Sequence, residues 1–312
     1  INAPERQMKP LGLDNESLQA INPGVLFCRL DCLGGPKKGP KTDYIGYDDI
    51  IQANSGIMSR FGGNTTPEEH AHLGTLDVNC GFAGGLGMAL SLYHKQKTGE
   101  ISRSRTSLSA VTNLAQIKFA FDYKNRGPFD EASGREALGN HPLSHFYKTN
   151  DGWIFIDSDQ NELSILETVE GLSGISETNS ISDFLIEAFS NDSANNWMQA
   201  LHNVDIAAVQ PMSINELRDK YTREADGTVG IDRGSYAFSM YSNHPSGHRV
   251  TLIDHYSIRP SEASIIAQPE TERYGNSTKT VLASVGYSDE KIQSMIDNKI
   301  AGTGWGKEFL PS

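Results

Sequence analysis

Residues 73–99 read LGTLDVNCGFAGGLGMALSLYHKQKTG. The brief apolar run Leu73–Leu76 precedes Asp77, after which Phe82, Leu86, Leu90 and Tyr93 recur every three or four residues up to Lys95, Lys97 and Gly99. This predicts a short strand, a carboxylate at its carboxyl end, and an amphipathic helix. The helix end is well marked, because cations in a last turn complement the dipole and glycine takes the left-handed cap. Gly81, Gly84, Gly85 and Gly87 do not fit the dinucleotide spacing G-x-G-x-x-G and fall inside the helical pattern. They are read as positions where a neighbouring backbone comes close.

On the N-terminal side, Val25–Leu30 follows Asn22-Pro23-Gly24 and reads as a buried strand, with a glycine-rich loop from Asp31 to Pro40. Ile50, Ile51, Ala53, Ile57 and Met58 predict a helix within 47–58, ahead of Gly62-Gly63. On the C-terminal side a second helix is expected over about 107–121. Alternation of strands and helices argues for a parallel or mixed sheet with helices on its faces.

The pattern changes at 122–128, where turn and charged residues take over. Phe146-Tyr147 and Trp153–Ile156 flank Asn150-Asp151-Gly152, a hairpin signature. Ser193 suits the cap of a helix carrying Trp197, Met198 and Leu201, Val204–Val209 reads as a strand, and Ser213 with Glu216 forms a capping box. Residues 241–260 read as extended, and two short helices close the chain, over 279–285 and after the cap Ser288. The resulting expectation is a large domain over 1–122, a linker over 123–144, a smaller α/β domain over 145–250, and a return segment with C-terminal helices over 251–312.

At 312 residues the chain is long enough for about two domains. With 37% hydrophobic and 21% charged residues it is neither disordered nor fibrous. The net charge of −12 is unevenly placed, since residues 1–150 carry 16 Lys/Arg against 15 Asp/Glu and residues 151–312 carry 11 against 24. Neither half offers an extended basic face, so nucleic acid is not an expected partner. No apolar run approaches a bilayer's thickness, so no membrane association is expected. Cys28, Cys32 and Cys80 are an odd, sparse set that fits reduced thiols in a cytoplasm. Ile1 in place of Met suggests a piece of a longer chain or a processed one.

Metal and hydrolase chemistries find little support. His70 and His72 have no third soft ligand nearby, His141 and His145 lack a zincin glutamate, and Cys28-x-x-x-Cys32 has no partner pair. There is no G-x-S-x-G elbow, and the loop at Gly34–Gly39 lacks Walker spacing, leaving Lys37 and Lys38 as phosphate contacts on a tight turn. Asp77 bears two readings that position alone does not separate. One is a helix N-cap; the other is a nucleophilic carboxylate where open α/β sheets bind ligands.

The order of motifs is more specific than any one of them. Leu11-Gly12-Leu13 through Asn22-Pro23, Gly39-Pro40, Gly46-Tyr47-Asp48, Leu76-Asp77-Val78-Asn79-Cys80-Gly81 and Tyr93-His94-Lys95-x-x-Thr98-Gly99 follow one another. Gly139-Asn140-His141-Pro142, Asp151-Gly152, Asn196-Trp197, Val281-Leu282 and Gly286-Tyr287-Ser288-Asp289-Glu290-x-Ile292 continue the series. The set resembles the class III CoA-transferase family (CaiB/BaiF type) over nearly the whole chain.

The resemblance implies a Rossmann-like large domain, incomplete here at its N-terminus by roughly a hundred family residues, plus a smaller α/β domain. It also implies interlocked dimers, or a partner chain that supplies the missing segment. It makes Asp77 a covalent nucleophile with Asp48 in support, Tyr47 a contact of the CoA chain, and acyl-CoA and a carboxylic acid the substrates, with no tightly bound cofactor and no metal. Gly139 and Asn140 match the region where formyl-CoA transferases carry a flexible run of glycines, which is absent here. Related α-methylacyl-CoA racemases place a histidine base where Tyr47 stands, and a phenol with a pKa near 10 is a poor substitute. The stretches 234–238 and 244–249 are similar to the second unit of the tandem dimethylsulfoniopropionate CoA-transferase/lyases. A non-catalytic or regulatory half of a tandem protein, with Asp77 only capping its helix, is the competing reading.

Overall fold

The computed structural model describes residues 3–35, 37, 39–63, 66–68, 74–126, 133–134, 137–224, 238–242, 249–253, 261–262 and 272–304. Lys38, His70, His72, Leu73, Gly127-Pro128 and most of 234–248 lie outside them. The chain divides into two compact units, 1–210 and 211–312.

In the first unit, strand β1 (Phe27–Asp31) pairs in parallel with β2 (Arg103–Ser107), in register from Phe27 with Arg103 to Asp31 with Ser107. A parallel pair needs a long crossover. Here it contains the helices Asp48–Ser55, Ile57–Gly62 and Thr75–Thr98, the last of which packs on both strands. The contact is close because two of its residues lack side chains. A Cβ on Gly84 would stand 2.9 Å from Leu30 Cδ2, and one on Gly87 would stand 3.0 Å from Ser104 Cβ. The helix ends as the sequence predicts, with Gly99 left-handed at φ 76° and its N–H donating to the Lys95 carbonyl.

Four expectations are corrected. No strand spans 74–76: Gly74 is left-handed (φ 71°) and Thr75 and Leu76 already form the helix, so Asp77 sits in its first turn rather than at a strand end. The helix expected within 47–58 is two helices, broken at Gly56, whose φ of 90° a residue with a side chain adopts only under strain. The apolar face of the long helix faces outward, since Val78, Phe82, Leu86, Leu90 and Tyr93 are all more than half exposed. The buried side is instead Leu76, Cys80, Gly84 and Ser91. The helix expected over 107–121 begins where β2 ends, with the Ser107 side chain accepting from Ala110 N–H, and breaks at Gln116.

The small core of this α/β portion joins Cys32, Ile51, Leu76, Cys80, Leu108 and Val111. A second core gathers around an antiparallel sheet in the order β3 (Gly139–His141), β4 (Ser144–Lys148), β5 (Trp153–Asp157), β6 (Ala207–Val209). The predicted hairpin joins β4 to β5, with Lys148 opposite Trp153. Phe189 and Trp197, from helices Ile181–Ser190 and Ala194–His202, pack edge to face at 5.0 Å beside Tyr147. Ser193 caps the second of these helices as expected.

In the second unit, Ser213 and Glu216 form their capping box on helix Ile214–Tyr221. β7 (Thr222–Glu224), β8 (Phe238–Tyr241) and β9 (Val250–Ile253) make a mixed sheet, and helices Thr278–Ser284 and Asp289–Asp297 follow. No helix among the described residues is long and apolar enough to cross a membrane.

Candidate active site

The first turns of two helices meet. Tyr47 is extended and precedes helix Asp48–Ser55, which places the Asp48 carboxylate at that helix's start, 4% exposed. Asp48 Oδ2 accepts from the Asp77 main-chain N–H at 2.9 Å, and its Oδ1 accepts from Gln52 Nε2 at 2.5 Å. An ionised acid at a helix N-terminus is favoured by the free N–H groups there. Asp48 therefore spans two helix starts, caps the turn that carries Asp77, and leaves the Asp77 side chain free to point elsewhere.

That side chain lines a cavity of about 520 Å³ together with Asp31, Cys32, Gly46, Tyr47 and Cys80. Partial burial pushes the Asp77 carboxyl above the usual aspartate range, and the nearby charges of Asp48 and Asp49 push the same way. A carboxylate made more basic is a better nucleophile once ionised. The thiols at the same cavity behave differently. Burial raises Cys32, with Asp31 and Asp77 adding to it, and pushes Cys80 up to about 11 against an opposing hydrogen bond with Thr106. Both stay protonated at neutral pH, so neither supplies the thiolate that would compete for an acyl group.

Asp31, at the end of β1, is 9% exposed and held by an arginine pair. Arg105 reaches its Oδ2 through Nε at 3.0 Å and Nη2 at 2.6 Å, Arg29 Nε lies 3.2 Å away, and Gly34 N–H donates to Oδ1 at 2.5 Å. This anchor fixes the loop leaving β1. Sequence reasoning missed it, because its members sit 74 positions apart and Arg-Ser-Arg-Thr-Ser does not look like a strand. The only local signal was a carboxylate at the end of an apolar run.

The expected site residues do not all gather. Tyr47, Asp48 and Asp77 come together. Lys37 is exposed on its loop and is not among the described residues that line the cavity. Gly139 and Asn140 lie on β3, where a Cβ on Gly139 would stand within van der Waals distance of the Ser144 carbonyl and 2.5 Å from His145 Cα. Close strand pairing accounts for that glycine. Among the described residues no group of three or more His, Cys, Asp or Glu is arranged to hold a metal.

The family described as CoA-transferase family III matches residues 1–251. The chain is 62% identical over 312 residues to CoA-transferase/lyase DddD of Marinomonas sp. (strain MWYL1), covering all of this chain and 37% of that protein. It is 24% identical to (R)-2-hydroxy-4-methylpentanoate CoA-transferase of Clostridioides difficile, over 96% of this chain and 75% of the relative. Its fold is that of a CAIB/BAIF family protein from Brucella suis, with a TM-score of 0.66 at 17% identity over 91% of this chain and 74% of the other. The chain belongs to CoA-transferase family III.

Proposed function

We propose that the chain transfers CoA from an acyl-CoA donor to a carboxylic acid through a covalent intermediate on Asp77. The carrying observation is the Asp77 carboxyl group facing a cavity of about 520 Å³, its backbone pinned by Asp48. The carboxylate attacks the donor thioester carbonyl and expels CoA thiolate, leaving a mixed anhydride. The thiolate returns to the aspartyl carbonyl, which releases the donor acid and leaves an aspartyl-CoA thioester. The acceptor carboxylate attacks that carbonyl, expelling CoA thiolate, which then takes the acceptor acyl group and frees Asp77. Thioester is exchanged for thioester, and one hard exchange becomes several easier ones.

Each tetrahedral intermediate needs N–H donors at its oxyanion. The Asp77 N–H is committed to Asp48 and that of Val78 to the Gly74 carbonyl, so the donors come from other segments. Within this reading Tyr47 contacts the pantetheine arm at the cavity, Lys37 and Lys38 meet phosphates, and Gly139 and Asn140 also contact the bound CoA. The functional division stays that of large domain, linker, smaller domain and return segment, in a cytoplasmic, interlocked dimer. The chain spans only 37% of its relative at 62% identity, so the donor and acceptor of the whole protein belong to the same proposal.

The test is trapping. Full-length protein is incubated with acyl-CoA and hydroxylamine or borohydride and Asp77 is read by peptide mass spectrometry. A hydroxamate or alcohol at Asp77 supports the reading. A turnover-competent preparation with unmodified Asp77 overturns it. The name of the 62% relative favours a second reading in which a lyase step is coupled to transfer; release of dimethyl sulfide from dimethylsulfoniopropionate plus acetyl-CoA tests it.

A further inference from the structure

A second cavity, of about 440 Å³, lies further along the helix that carries Asp77. Asp77 and Cys80 line the first cavity, and Gly81, Gly84 and Gly85, on the turns that follow, form one side of this one. Phe27 and Met88 add apolar walls, and no charged side chain is among the described residues that line it. Leu30 is the one described residue that lines both cavities. Its side chain lies on bare helix backbone, since a Cβ on Gly84 would stand 2.9 Å from Leu30 Cδ2 and 3.1 Å from both Cγ and Cδ1.

We propose that Leu30 is the partition that limits how long an acyl chain the Asp77 site accepts, and that the apolar cavity behind it receives a longer chain once Leu30 is trimmed. The proposal rests on the CoA-transfer reading for its substrate and on the two cavity linings for its geometry. An acyl group at the Asp77 carboxyl starts in a cavity that also carries Asp31 and has to admit the end of the pantetheine arm. A hydrocarbon tail gains nothing beside carboxylates, whereas apolar walls take it out of water. Leu30 is the wall the two spaces share, and Leu30→Ala removes three carbons from it. The second cavity can also be refilled from the helix side. A Cβ on Gly81 would meet nothing within 4 Å, so a leucine there enters open space without displacing a neighbour. Replacing a helical glycine also restricts the unfolded chain, which favours the fold.

The experiment measures kcat/KM of the full-length protein for acetyl-CoA and hexanoyl-CoA as donors, and the affinity of each by calorimetric titration in the Asp77→Asn background. The wild type is expected to favour acetyl-CoA at least about tenfold, and Leu30→Ala to move both ratios toward hexanoyl-CoA by at least about tenfold. Leu30→Val, a milder cut, moves them part of the way. Adding Gly81→Leu to Leu30→Ala returns them toward wild type, a reversal that general loosening of the fold does not give. Equal use of the two donors by the wild type overturns the proposal, as do unchanged ratios in Leu30→Ala or Leu30→Val with wild-type circular dichroism. A double variant that keeps the shifted ratios overturns it too, because the longer chain then lies elsewhere. A shifted affinity ratio in a protein whose Asp77 is never acylated sinks the transfer reading and leaves the partition. Acylation of Asp77 with fixed ratios does the reverse.

Discussion

The Asp77 N–H points at Asp48 Oδ2 from 2.9 Å, so one buried carboxylate fixes the backbone of another acid 29 residues on. The proximity that positions Asp77 also sets its proton affinity. Asp48→Asn keeps the shape and removes a negative charge, so the Asp77 carboxyl falls back toward the ordinary aspartate value. The acid limb of the kcat/KM profile is expected to move to lower pH. A limb that stays in place shows that Asp48 does not tune the reacting group. Asp48→Ala strands the Asp77 N–H, removes one acceptor from Gln52 Nε2, and is expected to lose about 1–3 kcal/mol in urea unfolding.

Asp77→Asn is expected to abolish turnover and yet raise stability. The folded-state pKa of Asp77 lies above the ordinary aspartate value, so the protonated side chain favours the fold and that contribution is lost as pH rises through the folded pKa. At pH 7 the neutral amide avoids the repulsion from Asp48 and Asp49. The side chain is exposed, so after solvent screening the gain is a few tenths of a kcal/mol at most. Melting curves at pH 7 and pH 4 check the sign: the difference between variant and wild type shrinks at the lower pH.

Gly46 has no room for a methyl group, since a Cβ there would overlap Cys32 Sγ. Gly46→Ala is expected to destabilise by about 1–3 kcal/mol through overpacking. Cys32→Ala removes the sulfur, and Cys32 Cβ would lie at an ordinary 3.6 Å. The double variant is therefore more stable than additivity of the two single changes allows. A double-mutant cycle with no coupling energy rejects this packing account.

Arg105→Gln leaves Asp31 buried with Arg29 as its remaining cation. The expected loss is about 2–3 kcal/mol, below the range for breaking a fully buried pair because Arg29 stays. Chemical denaturation reads it. Lys replacing Arg105 recovers only part, since the two-pronged contact to Oδ2 needs the guanidinium.

Local devices were legible from the residues alone. The Ser193 cap, the Ser213/Glu216 capping box, the Asn150-Asp151-Gly152 hairpin and the Gly99 helix stop each depend on side chains within a few positions. The start of the long helix was not legible, because Gly74 supplies no capping oxygen and Leu73–Leu76 matched a strand as well. β2 was hidden by its composition: Arg105 is there to meet Asp31 and Ser107 to cap the next helix, neither of which apolar patterning reveals. Of the site, the order of motifs brought out Tyr47, Asp48 and Asp77. Asp31 with Arg105, and Leu30 against Gly84, exist only once distant segments are packed.

Val78, Phe82, Leu86 and Leu90, spaced four apart, and Tyr93 form a continuous greasy seam along one helix, all turned toward water. Water gains nothing from that seam, while the chain's charge of −12 keeps like molecules apart. The two effects respond differently to ionic strength, because salt shortens the reach of the repulsion to about 10 Å at 0.1 M and leaves the attraction intact. A solution of this polypeptide alone will thus be clearest in dilute buffer and turn cloudy or sticky on salting, the reverse of what a predominantly charge-paired surface would do.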